Sequence, residues 1–443
     1  MTRITDIMRA PALRTVDLPD QQGVVMIKCV ADRHYIQRTA RRGHVQNVTD
    51  MRESAGQSVP LTRADCDEIL DQIAAGQPYN DVFVTAGLTA APDMAITDVE
   101  RVYTSTGDKF WRHRAQMESY RAGTGQTVIS THISPEGACN LRCPFCSVTY
   151  RDTHARIELP VIQQYVTDLL GRGLKAVILT GGGEPTMYPQ FSELVLWLKA
   201  RGLKVALITN GTMTDRVTPA AWACFAWVRV SLNVFDGWET RINLPTESLA
   251  ADCIVGCSMV YTVEHEALAS GQISRPVMLQ KAAGVAARLR ARYVRVLPNC
   301  LLQQDKLLAQ HAALDRDLAA LGDARFFHQH KVHAAPACGT CHQSYFRPYL
   351  SEEPFHGNGQ PGTVYPCDSV VLNSAYAHFA KQYQLCHASQ VLDYLDRKIV
   401  AGFDPRVACA GCVFTKNVAL LDDWVTTGDG QFIEQPLEHE EFV

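Results

Sequence analysis

Three cysteines, Cys139, Cys143 and Cys146, lie within eight residues at the spacing C-x3-C-x2-C, in the stretch GACNLRCPFCSVTYRD. Thiolates are soft ligands, and several of them usually hold an iron–sulfur cluster. Spaced this closely, each can take a different corner of a cubane. A [4Fe–4S] cluster has four irons, so three ligands leave one iron open. Zinc prefers four ligands in paired C-x2-C units, which this stretch lacks. Phe145, between the second and third cysteine, puts an aromatic ring beside the open corner.

A second run, Gly181-Gly182-Gly183-Glu184-Pro185, follows the apolar segment KAVILT. Glycines let a backbone approach a ligand closely, and a carboxylate such as Glu184 accepts hydrogen bonds from an ammonium. A phosphate loop would carry the Lys-Ser/Thr of a Walker motif or a G-x-G-x-x-G spacing, and neither is present.

Both runs must be carried by regular elements. From about residue 125 the pattern is a repeated βα unit. TVISTHIS leads into the cysteine run, and KAVILT, LKVALITN, WVRVSLNVF, GCSMVYTV and RYVRVLPNC read as five further strand ends. Continuous apolar runs such as AVIL and VALI suit parallel strands buried on both faces. Between the early strands, Val161, Tyr165 and Leu169 share one helical face, and Phe191, Leu194, Val195 and Leu198 share another. Pro160 and Pro189 open these helices, and Gly171 and Gly202 close them with an expected left-handed turn. Six units from 128 to 300 predict a partial barrel, with its active face at the strand ends.

The cysteine spacing with its aromatic, followed one strand later by Gly-Gly-Glu, resembles the radical S-adenosylmethionine (SAM) superfamily. That resemblance implies an α/β fold with a partial (β/α)6 TIM-like barrel. It assigns Cys139, Cys143 and Cys146 to a [4Fe–4S] cluster whose open iron binds SAM. It assigns Gly182, Gly183 and Glu184 to the amino group of SAM. Asn210, Ser231 and Asn233, at the third and fourth strand ends, match positions that contact the rest of the cofactor. The implied chemistry is reductive cleavage of SAM to a 5′-deoxyadenosyl radical that abstracts a substrate hydrogen. A flavodoxin or ferredoxin is the implied electron donor. Glu264, His265 and Glu266 follow the fifth strand and read as a polar loop, and Cys300, after the sixth, reads as a packed cysteine.

After residue 310 cysteines return as two C-x2-C pairs, Cys338 with Cys341 and Cys409 with Cys412, with Cys367 ending the run GTVYPC between them. The pairs alone fit a structural zinc site. The G-x4-C run from Gly362 to Cys367 resembles the SPASM and twitch auxiliary-cluster domains of radical SAM enzymes. That likeness implies one auxiliary [4Fe–4S] cluster rather than two, because no cysteine follows Cys412. Cys386 reads as packing.

These patterns divide the chain into an α+β domain over 1–120, the barrel over 121–310, and a Cys-rich domain with an acidic tail over 311–443. In the first, GVVMIKCVADRHYIQRTA reads as a strand pair. A helix follows, with Thr62 as N-cap and Ile69, Ile73 and Ala74 on one face. Arg33, His34, Arg38, Arg41, Arg42 and His44 form a basic cluster, read as a solvated face. The 443 residues carry a net charge of −4, which disfavours a broad nucleic-acid surface. No apolar run reaches membrane length. Fifteen cysteines in metal-like clusters fit a reducing, cytoplasmic setting. Two substrate classes remain open: a small molecule such as a sugar, nucleotide or amino-acid derivative, or a ribosomal peptide matured by cross-linking, thioether formation or epimerisation. A non-catalytic iron–sulfur or zinc protein is the third reading.

Overall fold

The computed structural model describes residues 10–18, 23–40, 45–49, 51–54, 57–77, 82, 86, 102–105, 107–233, 237–261, 274–302, 304–329, 336, 338–370, 381–396, 403–409, 411–428, 432–434 and 436–443. Arg41, Arg42, His44 and the loop Glu264, His265, Glu266 lie outside them. The chain divides into two compact units, Met1–Ile96 and Thr97–Val443.

In the first unit β1 (Ala12–Asp17), β2 (Gly23–Val30), β3 (Arg33–Ala40) and β4 (Val45–Thr49) form an antiparallel sheet in that order. The expected strand pair is its central hairpin, β2 with β3. β5 (Met51–Ser54) and β6 (Gln57–Pro60) pair separately. The helix Arg63–Ala74 starts at a capping box, in which Thr62 and Asp65 satisfy each other's backbone N–H. Its buried face is Cys66, Ile69, Leu70 and Ile73, against Val25, Ile27 and Ile36. Ala74 is exposed, so Leu70 takes the place expected for it.

The second unit is built on a ten-stranded sheet. β7 (Ser130–Ile133), β8 (Ala176–Leu179), β9 (Lys204–Thr209), β10 (Phe225–Ser231), β11 (Ile254–Tyr261) and β12 (Tyr293–Pro298) are the six expected strands. They pair in sequence order and in parallel. A short seventh parallel strand, β13 (Phe326–His328), follows on β12. Helices Leu159–Leu170, Phe191–Ala200 and Arg275–Arg288 run between strands, as the α/β reading requires. Leu194, Val195 and Leu198 are fully buried, as is Ile162 beside Tyr165 and Leu169. Gly202 takes the left-handed turn expected of it, at φ 77°. Gly171 does not: its φ is −60°, and Gly173, at φ 97°, makes the reversal instead.

β14 (Tyr349–Pro354) pairs in parallel with β7 on the other edge. β15 (Pro361–Tyr365) and β16 (Cys386–His387) add to it antiparallel. The Cys-rich region therefore extends the barrel's own sheet. The segment before the barrel also belongs here, although the expected boundary near 120 put it in the N-terminal domain. Trp111 stacks edge-on against Trp424 of the helix Thr415–Thr427 at 5.6 Å, and Phe110, Met117 and Leu421 complete that core. Among the described residues no helix is long and apolar enough to cross a membrane.

Candidate active site

The cysteine loop leaves the end of β7 and is closed at its base. Gly137 N–H donates to Ala155 O at 2.9 Å and Ile157 N–H to Pro135 O at 3.0 Å. Glu136, nearly fully buried, pairs with Arg156 at 3.0 Å and accepts from Ala138 N–H at 3.1 Å. Arg151 spans the loop. Its Nε donates to Gly137 O at 2.6 Å, and its Nη1 lies 3.7 Å from Cys146 Sγ. Leu141 N–H points at Cys139 Sγ from 3.5 Å.

Cys139, Cys143 and Cys146 are all free thiols, each partly exposed. Burial, then the neighbouring Cys146 and Cys139, push Cys143 up to about 12. Burial also raises Cys139. Clustered thiols of this kind need a cation before they can all ionise. The donor set, three thiols on one short loop with an arginine and an amide N–H aimed at the sulfurs, fits an iron–sulfur cluster. Phe145 is half-buried between them. Among the described residues no three His, Cys, Asp or Glu side chains converge on a single metal ion. A cubane does not require that, because each thiolate takes its own iron.

The glycine run lies directly against this loop. Gly183 N–H donates to Glu136 O at 2.9 Å and Glu184 N–H to Ala138 O at 2.8 Å. A Cβ on Gly183 would sit 2.1 Å from Ala138 O, so only glycine allows the two backbones to meet. Glu184 is buried, and its carboxylate ties two strand ends together. Oε1 accepts from Thr209 Oγ1 at 2.6 Å and Thr186 Oγ1 at 2.7 Å, and Oε2 accepts from Asn210 N–H at 2.7 Å. Burial raises its pKa against the pull of these bonds. Asn210 closes the arrangement: its Nδ2 donates to Asn140 Oδ1 at 2.9 Å and lies 3.9 Å from Cys139 Sγ.

The structure thus brings together the triad, Gly182, Gly183, Glu184 and Asn210. Ser231 sits at the end of β10 beside Ser258 of β11, and Asn233 N–H donates to Ser231 O at 2.9 Å. Among the described residues neither hydrogen-bonds to the cysteine loop. Ser134 and Glu352 are site residues that the sequence reading missed. Glu352, fully buried on β14, accepts from Ser134 Oγ at 2.5 Å, and Ser134 Oγ accepts from Gly182 N–H at 2.6 Å. Its Oε1 has no hydrogen-bond partner among the described residues, and a Cβ on Gly182 would lie 2.0 Å from it. A buried carboxylate pair, Glu352-Glu353, inside an otherwise strand-like run was the available signal. Burial, then the charge of Glu352, push Glu353 up to about 8.

Residues 133–242 match the family model described as Radical SAM superfamily. This stretch is a radical SAM domain. The radical SAM domain covers the triad loop, the glycine run and the strand ends that hold Asn210 and Ser231. Over 117 residues the chain is 35% identical to the GTP 3',8-cyclase of Chlorobaculum tepidum, covering 25% of this chain and 35% of that protein. It is 36% identical over 80 residues to the Fe-coproporphyrin III synthase of Methanosarcina barkeri, covering 18% of this chain and 20% of that protein. The match therefore spans about a third of the first relative and a fifth of the second. A solved structure, Streptococcus suis SuiB bound to precursor peptide SuiA, aligns over 91% of this chain and 92% of that one, with 11% identity and a TM-score of 0.46.

The C-terminal cysteines come together in two adjoining clusters. Cys409 packs with Tyr349, Tyr365 and Tyr383, and Cys338 packs with Phe414 and Val418. Cys367 and Cys412 border both clusters, and Cys341 borders the second. Burial, then Cys412 and Cys409, raise the Cys341 thiol far above its ordinary value. Cys386 is buried in the main barrel core, apart from this group.

Proposed function

We propose that this chain is a radical SAM enzyme acting on a small-molecule substrate. One observation carries the reading most: the cysteine loop and the Gly-Gly-Glu loop are joined backbone to backbone, with Asn210 bridging Glu184 to the Cys139 side of the loop. A protein that only stored or passed electrons would need no such second loop. Cys139, Cys143 and Cys146 would hold a [4Fe–4S] cluster. When bound, that cluster supplies the electron that cleaves SAM to methionine and a 5′-deoxyadenosyl radical, which takes a hydrogen atom from the substrate.

The protein's own share is binding and placement. Gly182, Gly183 and Glu184 receive the amino group of SAM, and Glu184 keeps its loop rigid through Thr186, Thr209 and Asn210. Ser231, at the end of β10, and Asn233, two residues beyond it, contact the rest of SAM. Arg151 donates toward Cys146 Sγ and holds that side of the loop in place. Cys338, Cys341, Cys367, Cys409 and Cys412 supply the ligands of one auxiliary [4Fe–4S] cluster. A reduced flavodoxin or ferredoxin delivers the electron.

The test is anaerobic incubation of the reconstituted protein with SAM and dithionite. The wild type forms 5′-deoxyadenosine, and the variant with Cys139, Cys143 and Cys146 all changed to Ala forms none. Equal product from both would end the assignment.

A further inference from the structure

Barrel strands, residues 102–105 and Lys109 before them, and C-terminal residues including Arg347, Asp368 and Phe442 together line a cavity of about 130 Å³. Ile208 and Arg229 line it, each two residues before Asn210 and Ser231. Residues two apart share a strand face, so the cavity lies one step deeper than the proposed SAM site, roughly 7 Å at about 3.3 Å per residue. Its volume is several times the roughly 10–15 Å³ that one water needs, room for a small polar group. Trp227, Tyr293 and Phe442, which pack in one apolar cluster, also line it.

The lining is cationic. Arg229, Arg295, Arg347 and Lys109 face the cavity, against a single carboxylate, Asp368. Burying charge without a counter-charge is costly, so an excess of this kind calls for an anion. The acidic tail places no glutamate in the lining, and what it offers Arg347 there is a backbone oxygen, Val443 O, which accepts from Nη1 at 3.2 Å. Glu441 pairs with Lys204 at 2.6 Å, Glu438 pairs with Arg292 at 3.4 Å, and Glu440 accepts from Leu437 N–H at 2.9 Å.

The four cations are not equivalent. Lys109 directs its ammonium at three backbone oxygens, those of Val102, His439 and Phe442, at 3.0, 3.2 and 3.1 Å. Those three bonds use all three of its donors, so it acts as a strut. Arg347 bonds Ser105 Oγ at 3.0 Å and Val443 O at 3.2 Å, and reaches Asp368 at 3.4 Å. Arg229 bonds Tyr293 OH at 3.1 Å and Tyr103 O at 2.5 Å. Arg295 differs from these: its Nε is buried with no hydrogen-bond partner among the described residues. Burial, then the like charge of Arg229, press its guanidinium below the ordinary value, and an anion would relieve both.

We propose that this chamber binds an oxyanion, the carboxylate or phosphate group of the substrate, with Arg295 as its principal donor and Arg229 and Arg347 beside it. The proposal rests on the reading of the barrel mouth as the SAM site. An anionic head held at this depth would leave the adjoining part of the substrate at the level of Asn210 and Ser231, where the hydrogen atom is taken. The chamber thereby selects small substrates that carry a terminal anionic group.

The test is calorimetric titration of the reconstituted protein with inorganic phosphate and, separately, with acetate. Binding of one equivalent of phosphate points to a phosphorylated substrate, and binding of acetate alone points to a carboxylate. Arg295→Gln should weaken whichever anion binds by roughly ten- to a hundredfold, the usual effect of losing a charge-assisted hydrogen bond. Arg295→Lys keeps the charge and should retain most of the binding, which guards against a folding artefact. Tungstate soaked into crystals gives an independent readout and should sit between Arg229, Arg295 and Arg347. No binding of either anion, equal affinity in Arg295→Gln, or tungstate absent from the barrel would overturn the proposal. SAM cleavage by the wild type in the same preparation separates the two readings. Cleavage without anion binding removes only the chamber, and anion binding without cleavage removes only the radical SAM activity.

Discussion

Cys139, Cys143 and Cys146 come from a single loop, whereas Cys338, Cys341, Cys367, Cys409 and Cys412 are gathered from three separated stretches of chain. The first group is held by local bonds: Glu136 to Arg156, Gly137 to Ala155, and Arg151 across the turn. The second depends on packing. Tyr349, Tyr365 and Tyr383 hold Cys409, and Phe414 and Val418 hold Cys338. A local site can stay partly exposed and offer an open position to a ligand. In the group assembled from distant segments Cys338 and Cys409 are buried, while Cys341, Cys367 and Cys412 stay partly exposed. The contrast suits the proposed catalytic role of the first group and a more packed, structural or electron-carrying role for the second. β14 connects them, because it follows Cys341 in the chain and carries Glu352 to the glycine run.

The largest expected effect separates the two groups outright. If the C-terminal cysteines hold a second cubane, the triple Ala variant of Cys139, Cys143 and Cys146 should lose roughly half of the bound iron and sulfide. Its circular dichroism should be unchanged, because the cysteine loop is braced by residues other than the cysteines. Loss of all iron would mean that the two sites are not independent.

Next in size is Cys367→Ala in that triple variant. If Cys367 binds the auxiliary cluster, most of the remaining iron and sulfide should go. One equivalent of zinc without sulfide, untouched by the change, would return the C-terminal site to a structural zinc role.

Legibility followed the same contrast. The triad and the Gly-Gly-Glu run could be read because each is contiguous and its spacing reflects backbone geometry. The six barrel strands were readable as apolar runs bounded by helix signals. β13 was not, since FFH is too short to show a period. Neither was the pairing of β14 with β7, a contact between segments more than two hundred positions apart. For the same reason Glu352 went unnoticed beside Gly182, and Trp111 beside Trp424. Glu184 was recognised, but its grip on Thr209 and Asn210 depends on two neighbouring strand ends that a linear reading does not juxtapose.

Glu184→Gln tests that grip at intermediate size. The amide keeps the shape but removes the charge and presents a donor where only acceptors fit. A charge-assisted hydrogen bond is worth about 1.5–3 kcal/mol, so SAM affinity measured by calorimetry should fall roughly ten- to a hundredfold. Unchanged affinity would make Glu184 a brace of the strand ends and nothing more.

The smallest effect concerns pH and the β14 connection. Glu353 is raised to about 8 in the folded protein by burial and by Glu352, against roughly 4.3 for a free glutamate. The folded state keeps a proton that the unfolded chain has lost, so the contribution of Glu353 to stability declines as pH rises from about 4.3 to about 8. Glu353→Gln should flatten that decline. Thermal unfolding at pH 5 and pH 9 should show the variant gaining on the wild type only at the higher pH. An equal offset at both values would show that Glu353 does not titrate in this range.

The most direct test of two separate centres is electron paramagnetic resonance of the dithionite-reduced protein, with and without SAM, in the wild type and in the triple Ala variant. In the wild type, SAM should perturb one cluster signal and leave the other unchanged. In the variant only the unperturbed signal should remain, and SAM should not alter it. A SAM-sensitive signal that survives the loss of Cys139, Cys143 and Cys146 would contradict the account.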